Sequence, residues 1–493
     1  MYRRRNKNQL SIYDFILPFN GHLNKNNRWV KLRETIDWGA IEEEYIQNFE
    51  NLASGEEALD SDLAFGSLYI QRKLRLTDRE LVQQLSENPY MQFFIGFKEF
   101  NENPPFDPSL LVTFRKRFPE DVMNRIIERM FIEKSDDDDP PGGGSETSDE
   151  VPSEKPEENT GSTNRGTLIM DASCTPADIA YPTDLELCDK ARKWTEVIVD
   201  HYWKLYGSVN RKKDKPRTYR EVARRRFLKL NKRRKKSAKK IRKELRYQLN
   251  CIKRNLRYIK AYEDLYGTDD LFRVERERLE TIKEFYKQQK EMLDNKTHSV
   301  ENRIVSLSQP WIRPIVRGKS KAPTEFGAKI SISVVNGYTF VDRLSFDAYN
   351  EGEHSEFVRV VEEYRRRFGH YPERILADKI YRSKENRKFC KEQGIHLSGP
   401  KLGRPGKNYA EELRTERCEA GERNAVEGKF GNGKRKLGLS LIMAKLKETA
   451  GTMITMDIFI LNMEQLLRNK ALFLCAIFIN RRKWIYQYLI INE

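Results

Sequence analysis

Residues 136–165 contain almost nothing that a folded core could use. The segment opens with the Asp136-Asp137-Asp138-Asp139 block, passes through Pro140-Pro141-Gly142-Gly143-Gly144, and continues in Glu, Ser, Asp and Pro. Ordering such a stretch costs conformational entropy and buries no apolar surface in return. It reads as a disordered acidic linker, and it divides the chain into a block at 1–135 and a longer block from 166 onward. Whatever folds here folds as at least two bodies of different character, since 493 residues are ample for more than one core.

The first block reads as helical. Thr77 and Glu80 form a capping-box pattern ahead of Leu81, Val82 and Leu85. Asp107-Pro108 reads as an N-cap with proline at the first helical position, leading into Leu110, Leu111 and Phe114. Asn88-Pro89 and Pro104-Pro105 separate the helices. Short helices joined by tight turns suit a helix-turn-helix-like module, with Arg115, Lys116 and Arg117 as phosphate contacts. An ordinary helical bundle with solvated charges is the competing expectation.

The second block mixes strands and helices. The apolar run Thr167 to Met170 leads into Asp171, which is expected at a strand end. A helical excursion then occupies roughly 185–300. Its stretch from Arg224 to Arg246 is dominated by Lys and Arg, and Ile241, Leu245, Leu249, Ile252, Leu256 and Ile259 recur on one helical face. After the break at Gly267-Thr268-Asp269-Asp270, Leu279, Ile282 and Phe285 continue the pattern, which predicts a helical hairpin with a basic flank. Alternation returns in Phe326–Val335 and Tyr338–Leu344 around Asn336-Gly337, a strong hairpin signal. An amphipathic helix at Glu356–Phe368 precedes a strand expected to end at Asp378. The order implies an α/β domain with helices packed on a sheet, preceded by an all-α domain.

The formal net charge of +17 favours a polyanionic partner, nucleic acid before an anionic membrane surface. The run Ala471 to Ile479 is far short of the roughly 18 residues a membrane-spanning helix requires. No apolar h-region follows the N-terminal arginines. The six cysteines form no CxxC pair and read as reduced thiols of a cytosolic protein. The histidines form no HxH or HxxxH pair, so zinc catalysis has no support. Gly428 to Lys434 imitates a phosphate loop, but Arg435 stands where Ser or Thr should be, and no strand precedes it.

Three carboxylates stand out by position: Asp171 and Asp378 after apolar runs, and Glu427 in the helix-like stretch Glu422 to Glu427. Hard oxygen ligands of this kind suit Mg²⁺ or Mn²⁺. Two such ions, about 3.5–4 Å apart, activate a nucleophile and stabilise a leaving oxygen in phosphodiester chemistry. Arg423 and Lys434 lie four residues before and seven after Glu427, where a helix would carry both near the carboxylate. Gly428, Gly431 and Gly433 each disfavour a helix by about 1 kcal/mol relative to Ala, which leaves Lys434 on a loop if the helix stops. Spacing alone does not select these three from 74 acidic residues.

The surrounding motifs supply the selection. Met170-Asp171-Ala172-Ser173, Pro176-Ala177-Asp178-Ile179, Tyr181-Pro182-Thr183-Asp184, Ala377-Asp378-Lys379 with Tyr381-Arg382-Ser383, Leu397-Ser398-Gly399-Pro400 and Arg423 to Phe430 resemble the DDE transposases of bacterial insertion sequences, specifically the insertion-sequence-five group. Glu87-Asn88-Pro89-Tyr90 and Pro104 to Leu110 resemble that group's helical N-terminal domain.

The resemblance covers about residues 20–465. It implies a ribonuclease-H-like catalytic core at 166–465, interrupted by the basic helical insertion and preceded by a helical DNA-binding domain at 1–135. It further implies Asp171, Asp378 and Glu427 as catalytic ligands of two Mg²⁺ ions, with Mn²⁺ as a substitute. The expected partners are double-stranded DNA, both terminal inverted repeats and target, and a second copy of the chain in the DNA complex. A bacterial cytoplasmic, nucleoid-associated location goes with that activity, and no membrane association.

Expected DNA contacts are Arg423, Lys434, Lys379 and Arg382 near the carboxylates, Arg115, Lys116 and Arg117 in the first block, and Arg233, Arg234 and Lys235 in the insertion. A related signature places a tyrosine where this chain has Ala420. The tail at 466–493 has no counterpart in the resemblance. The competing function is a non-catalytic repressor or end-binding protein derived from a transposase. A weaker third is a structure-selective nuclease without strand transfer.

Overall fold

A computed structural model describes residues 11, 13–17, 21–47, 49, 58–136, 164–207, 215–316, 324–400 and 409–491. Residues 137–163, nearly all of the expected linker, lie outside the described residues.

Among the described residues, seven helices come first: α1 (Arg28–Thr35), α2 (Trp38–Ile46), α3 (Ser61–Leu74), α4 (Asp78–Glu87), α5 (Pro89–Phe94), α6 (Leu110–Arg117) and α7 (Glu120–Asp136). Their starts follow local chemistry. Thr77 and Glu80 close both halves of the expected capping box on α4. Asn88 accepts from the backbone N–H groups of Tyr90 and Met91, with Pro89 at the first position of α5. Asp107 accepts from Ser109 N–H, and α6 begins three residues after it.

Strand β1 (Thr167–Pro176) opens the mixed part and leads into four helices: α8 (Asp184–Tyr206), α9 (Arg220–Asn231), α10 (Ala238–Tyr266) and α11 (Arg273–Asn295). The expected hairpin is thus a four-helix insertion. Leu245, Leu249, Ile252 and Ile259 of α10 are buried, as the periodicity requires, but α8 and α9 cover the same face. Four helices give it apolar cores of its own, one around Cys188, Ile252 and Phe285 and another around Val199, Tyr202 and Ile259.

The chain then returns to the sheet as β2 (Arg313–Val316), β3 (Thr324–Val335) and β4 (Tyr338–Ser345). Asn336 and Gly337 form the tight turn between β3 and β4 with φ of 47° and 84°. Two consecutive positive φ values are what a two-residue hairpin loop demands, and Asn and Gly tolerate them best. There follow α12 (His354–Phe368), β5 (Arg374–Leu376), α13 (Lys384–Glu392), β6 (His396–Leu397), α14 (Tyr409–Asn432) and α15 (Lys447–Ile491).

The strands form one sheet in the order β2-β3-β1-β5-β6, with β4 also paired to β3. β3 runs antiparallel to β1 over eight residue pairs, Ile169 with Val334 through Pro176 with Gly327. β5 is parallel to β1 over only three, Thr167 with Arg374 through Ile169 with Leu376. The molecule is therefore a helix-rich α/β protein.

The N-terminal helices, the sheet and α15 share one hydrophobic core. Phe459 of α15 packs its ring against Phe65 of α3 at 5.0 Å and Phe131 of α7 at 5.7 Å, and Phe131 stacks on Tyr338 at the start of β4. Arg72 of α3 donates to both oxygens of the fully buried Asp457. Asn462 accepts from Thr339 N–H and donates to Thr339 O, both at 2.8 Å, so α15 satisfies part of the open edge of β4. The boundary expected at 465/466 falls inside α15, whose backbone is helical from Lys447 to Ile491.

Candidate active site

Asp171 lies in the middle of β1 rather than at its end. Ala172-Ser173-Cys174-Thr175 looks like a loop because the apolar run has stopped, yet the β3 pairing carries the strand on to Pro176. What does end near Asp171 is the parallel pairing with β5, two residues earlier. Asp378 stands two residues beyond the end of β5, so both acids lie just past the C-terminal limit of the same parallel strand pair. Clefts at that limit are where open α/β sheets bind ligands.

The position of Asp378 is braced from several sides. It caps the 3-10 turn Lys379–Tyr381, accepting from Lys379 N–H at 2.7 Å. Asn386, fully buried at the start of α13, donates to Tyr381 O at 2.9 Å and to Gly352 O at 3.2 Å. Ser398 Oγ accepts from Ala377 N–H. Arg382 donates to the carbonyls of Leu397, Ser398 and Pro400. Gly399 makes room for that guanidinium: its φ is 107°, and a Cβ there would lie 2.6 Å from Arg382 Nη1. The Leu397-Ser398-Gly399-Pro400 motif thus supports the turn that carries Asp378.

Helix α14 brings the third acid. Glu419 pairs with His396 at 2.6 Å, Glu422 with Arg374 at 2.7 Å, and Val426 and Phe430 enter the main core. The helix also packs against β1, and the Glu427 charge acts on Asp171. The helix does not stop at the glycines. It continues to Asn432 and passes into a π-helical turn, Gly433–Leu437. The Lys434 side chain therefore leaves an ordered turn and donates to Ser173 Oγ at 2.8 Å, on the same face of β1 as Asp171. Packing outweighs the glycine propensity here: Leu437 and Leu439 are buried, and a Cβ on Gly433 would sit 2.5 Å from Leu439 Cδ1.

Electrostatics ties the three acids together. Burial pushes the Asp171 carboxyl above the usual aspartate range. The Ala172 N–H and the Arg423 charge pull it down, while the charges of Asp378 and Glu427 add to the rise. Asp171 Oδ1 accepts from Ala172 N–H at 2.8 Å. Glu427 is exposed and pairs with Arg423 at 2.8 Å, and Asp378 is also exposed. Among the described residues, no three His, Cys, Asp or Glu side chains stand close enough together to hold a metal ion. The charges of Asp378 and Glu427 thus act on Asp171 without the three carboxylates closing to ligating distance.

In donor type the set fits a divalent cation: three hard carboxylates whose mutual repulsion a double positive charge would relieve.

The remaining expected contacts separate sharply. Lys379 is exposed beside Asp378. Arg382 donates to the backbone carbonyls of Leu397, Ser398 and Pro400. Arg115 is buried, bonded to Gln71 and paired with Asp78. Arg117 donates to Tyr45 Oη at 2.8 Å and lies over the Phe49 ring, and Lys116 is exposed. Arg233, Arg234 and Lys235 are exposed in the α9–α10 turn, within the run Lys232–Lys240 that is exposed throughout. Tyr381 and Asn386 received no separate role from the sequence. Their burial became visible only once α12 and α13 were packed on the sheet.

Comparison with known proteins bears on this geometry. Residues 375–464 match the family described as Transposase DDE domain, a span that includes Asp378 and Glu427. Residues 18–117 match the family described as Transposase domain (DUF772). These matches indicate a DDE-type insertion-sequence transposase. An uncharacterized protein, ORF8 in the nfe locus of Rhizobium meliloti, is 27% identical over 179 residues, covering 36% of this chain and 74% of that protein. No solved structure matches the chain. A DDE transposase domain suggests an enzyme acting on DNA. Among the described residues, no helix is long and apolar enough to cross a membrane.

Proposed function

We propose that this transposase binds the terminal inverted repeats of an insertion sequence, cuts DNA there and joins the freed ends to a target. The observation that supports the reading is the placement of Asp171 and Asp378 just past the C-terminal limit of one parallel strand pair, with Glu427 on the helix that packs against β1. Strand order β4-β3-β1-β5-β6 is consistent with a ribonuclease-H-like core. Residues 1–135 would be its helical DNA-binding part, and 184–295 its insertion.

Divalent ions held by these three acids, Mg²⁺ or Mn²⁺, would supply Lewis-acid activation of the attacking and leaving oxygens. The chain's own residues do the rest. Asp171, whose carboxyl is raised chiefly by burial and further by two like charges, gains from neutralisation. Arg423, freed from Glu427, and Lys434, reaching across Ser173, present positive charge to the DNA backbone on either side of the acids. Lys379 extends that lining. The exposed basic run at 232–240 holds flanking DNA by counterion release. Simultaneous handling of two ends makes a dimer the working form.

A second reading, a non-catalytic end-binding protein, draws on the acids not being gathered at ligating distance. Cleavage of a duplex carrying the element's own end, with Mg²⁺, separates the two. Wild-type protein should cut it, and Asp378→Asn should lose cleavage by at least about a thousandfold while end binding stays within about twofold. Binding without cleavage in the wild type would favour the second reading.

A further inference from the structure

Thr167, Arg374 and His396 are the first residues of β1, β5 and β6, and the parallel registers set them in one row across the three strands. Helix α14 packs on this row. Glu422 meets the Arg374 guanidinium with both carboxylate oxygens, at 2.7 and 3.2 Å. Three residues earlier on the helix, Glu419 meets His396 at 2.6 Å. The remaining edge of the guanidinium donates through Nε to Thr167 Oγ1 at 2.7 Å. One side chain therefore ties together β1, β5 and α14, which carry Asp171, lead into Asp378 and carry Glu427.

The other end of the helical path is tied to β1 as well. Lys434 donates to Ser173 Oγ at 2.8 Å. Thr167, Asp171 and Ser173 project from one face of the strand, because successive side chains alternate. The strand from Thr167 to Ser173 spans roughly 20 Å, and the helical path from Glu422 to Lys434 roughly 18 Å. The two ties fit without stretching either element. Asp171 falls between them on the strand and Glu427 between them on the helix. A slip of α14 by one turn would carry Glu427 about 5.4 Å along the sheet.

The Arg374 and Glu422 side chains are 36% and 43% exposed. An ion pair so open to solvent contributes little to stability. A two-pronged contact between guanidinium and carboxylate nevertheless fixes direction as well as distance. We propose that Arg374 is a positioning residue: its fork on Glu422, anchored through Thr167, sets the register of α14 on β1 and β5. It thereby sets where Glu427 stands relative to Asp171 and Asp378 when a divalent ion binds. Groups beyond the ligands that hold them in place typically account for about 10–100-fold in metal affinity. The inference rests on the reading of Asp171, Asp378 and Glu427 as metal ligands.

The test is Mn²⁺ binding by the full chain, read by electron paramagnetic resonance, alongside thermal melting. The proteins are the wild type, Arg374→Gln, Glu422→Gln, the double variant and Asp378→Asn. Each single glutamine variant at the fork should weaken Mn²⁺ binding by about tenfold. The double variant should lose no more than either single one, because both remove the same contact. Melting temperatures should stay within about 2 °C of the wild type. A purely electrostatic effect has opposite signs in the two, since one removes a positive charge and the other a negative one. Tighter Mn²⁺ binding by Arg374→Gln therefore overturns the role of Arg374, and so do additive losses in the double variant. Unaltered affinity in both single variants, while Asp378→Asn loses Mn²⁺, overturns that role alone. Mn²⁺ binding that Asp378→Asn leaves unchanged overturns the metal-ligand reading and this inference with it.

Discussion

The basic triplet on α6 and the one between α9 and α10 carry the same charge in opposite surroundings. Arg115 is buried against Asp78 and Gln71, and Arg117 is held by Tyr45 and Phe49, so two of the three α6 cations hold the N-terminal helices together. Arg233, Arg234 and Lys235 point into solvent, in a stretch from Arg224 to Arg246 where Glu244 is the one acidic residue. That glutamate is already paired with Arg226. The availability of a cation is set by the carboxylates and aromatic rings packed around it, not by the number of cations in the run. The first triplet is architecture, and the second is a surface that repels itself until an anion arrives.

Substitution should separate the two most clearly in stability. Arg115→Met takes the cation away from Asp78 and the donor away from Gln71 Oε1, leaving only the bond between those two side chains, and urea unfolding should show a loss of about 2–3 kcal/mol, below the full value for a buried pair because Asp78 is partly exposed. End-DNA affinity per folded molecule should not change. If stability holds and DNA binding falls, the α6 triplet belongs with the other one.

The converse experiment neutralises Arg233, Arg234 and Lys235 together to Gln. Stability should stay within about 0.5 kcal/mol. The slope of log affinity for DNA against log salt should become shallower by about 2.7, the value for three lost phosphate contacts. An unchanged slope would make the exposed run an ordinary solvated face and erase the contrast.

The same distinction marks what could be read in the sequence. Signals within a few residues are faithful: the Asn336-Gly337 turn, the Thr77–Glu80 cap and the apolar face of α10 appear where local chemistry puts them. Features set by distant partners are not. The continuation of β1 past Asp171 depends on β3, more than 150 residues later, and the burial of Arg115 depends on Asp78. The helical path from Glu427 to Lys434 depends on Leu437 and Leu439 packing under a π-helical turn, an arrangement that glycine propensities argue against. Motif resemblance singles out Asp171, Asp378 and Glu427, and the sheet adds that Asp171 and Asp378 lie past the end of one parallel strand pair, a register that depends on β5 some 200 residues after β1. The bracing by Asn386 carries no sequence signal that would separate it from that of an ordinary core residue.

The central claim is that Asp171, Asp378 and Glu427 hold the metal used to cut DNA. Asp378→Cys tests it most directly, because a thiolate is a softer ligand than a carboxylate and binds Mn²⁺ better than Mg²⁺. On a duplex bearing the element's end, this variant should be inactive with Mg²⁺ and recover cleavage with Mn²⁺, while Asp378→Ala stays inactive with both. Equal activity of Asp378→Cys and wild type in Mg²⁺ would contradict the account.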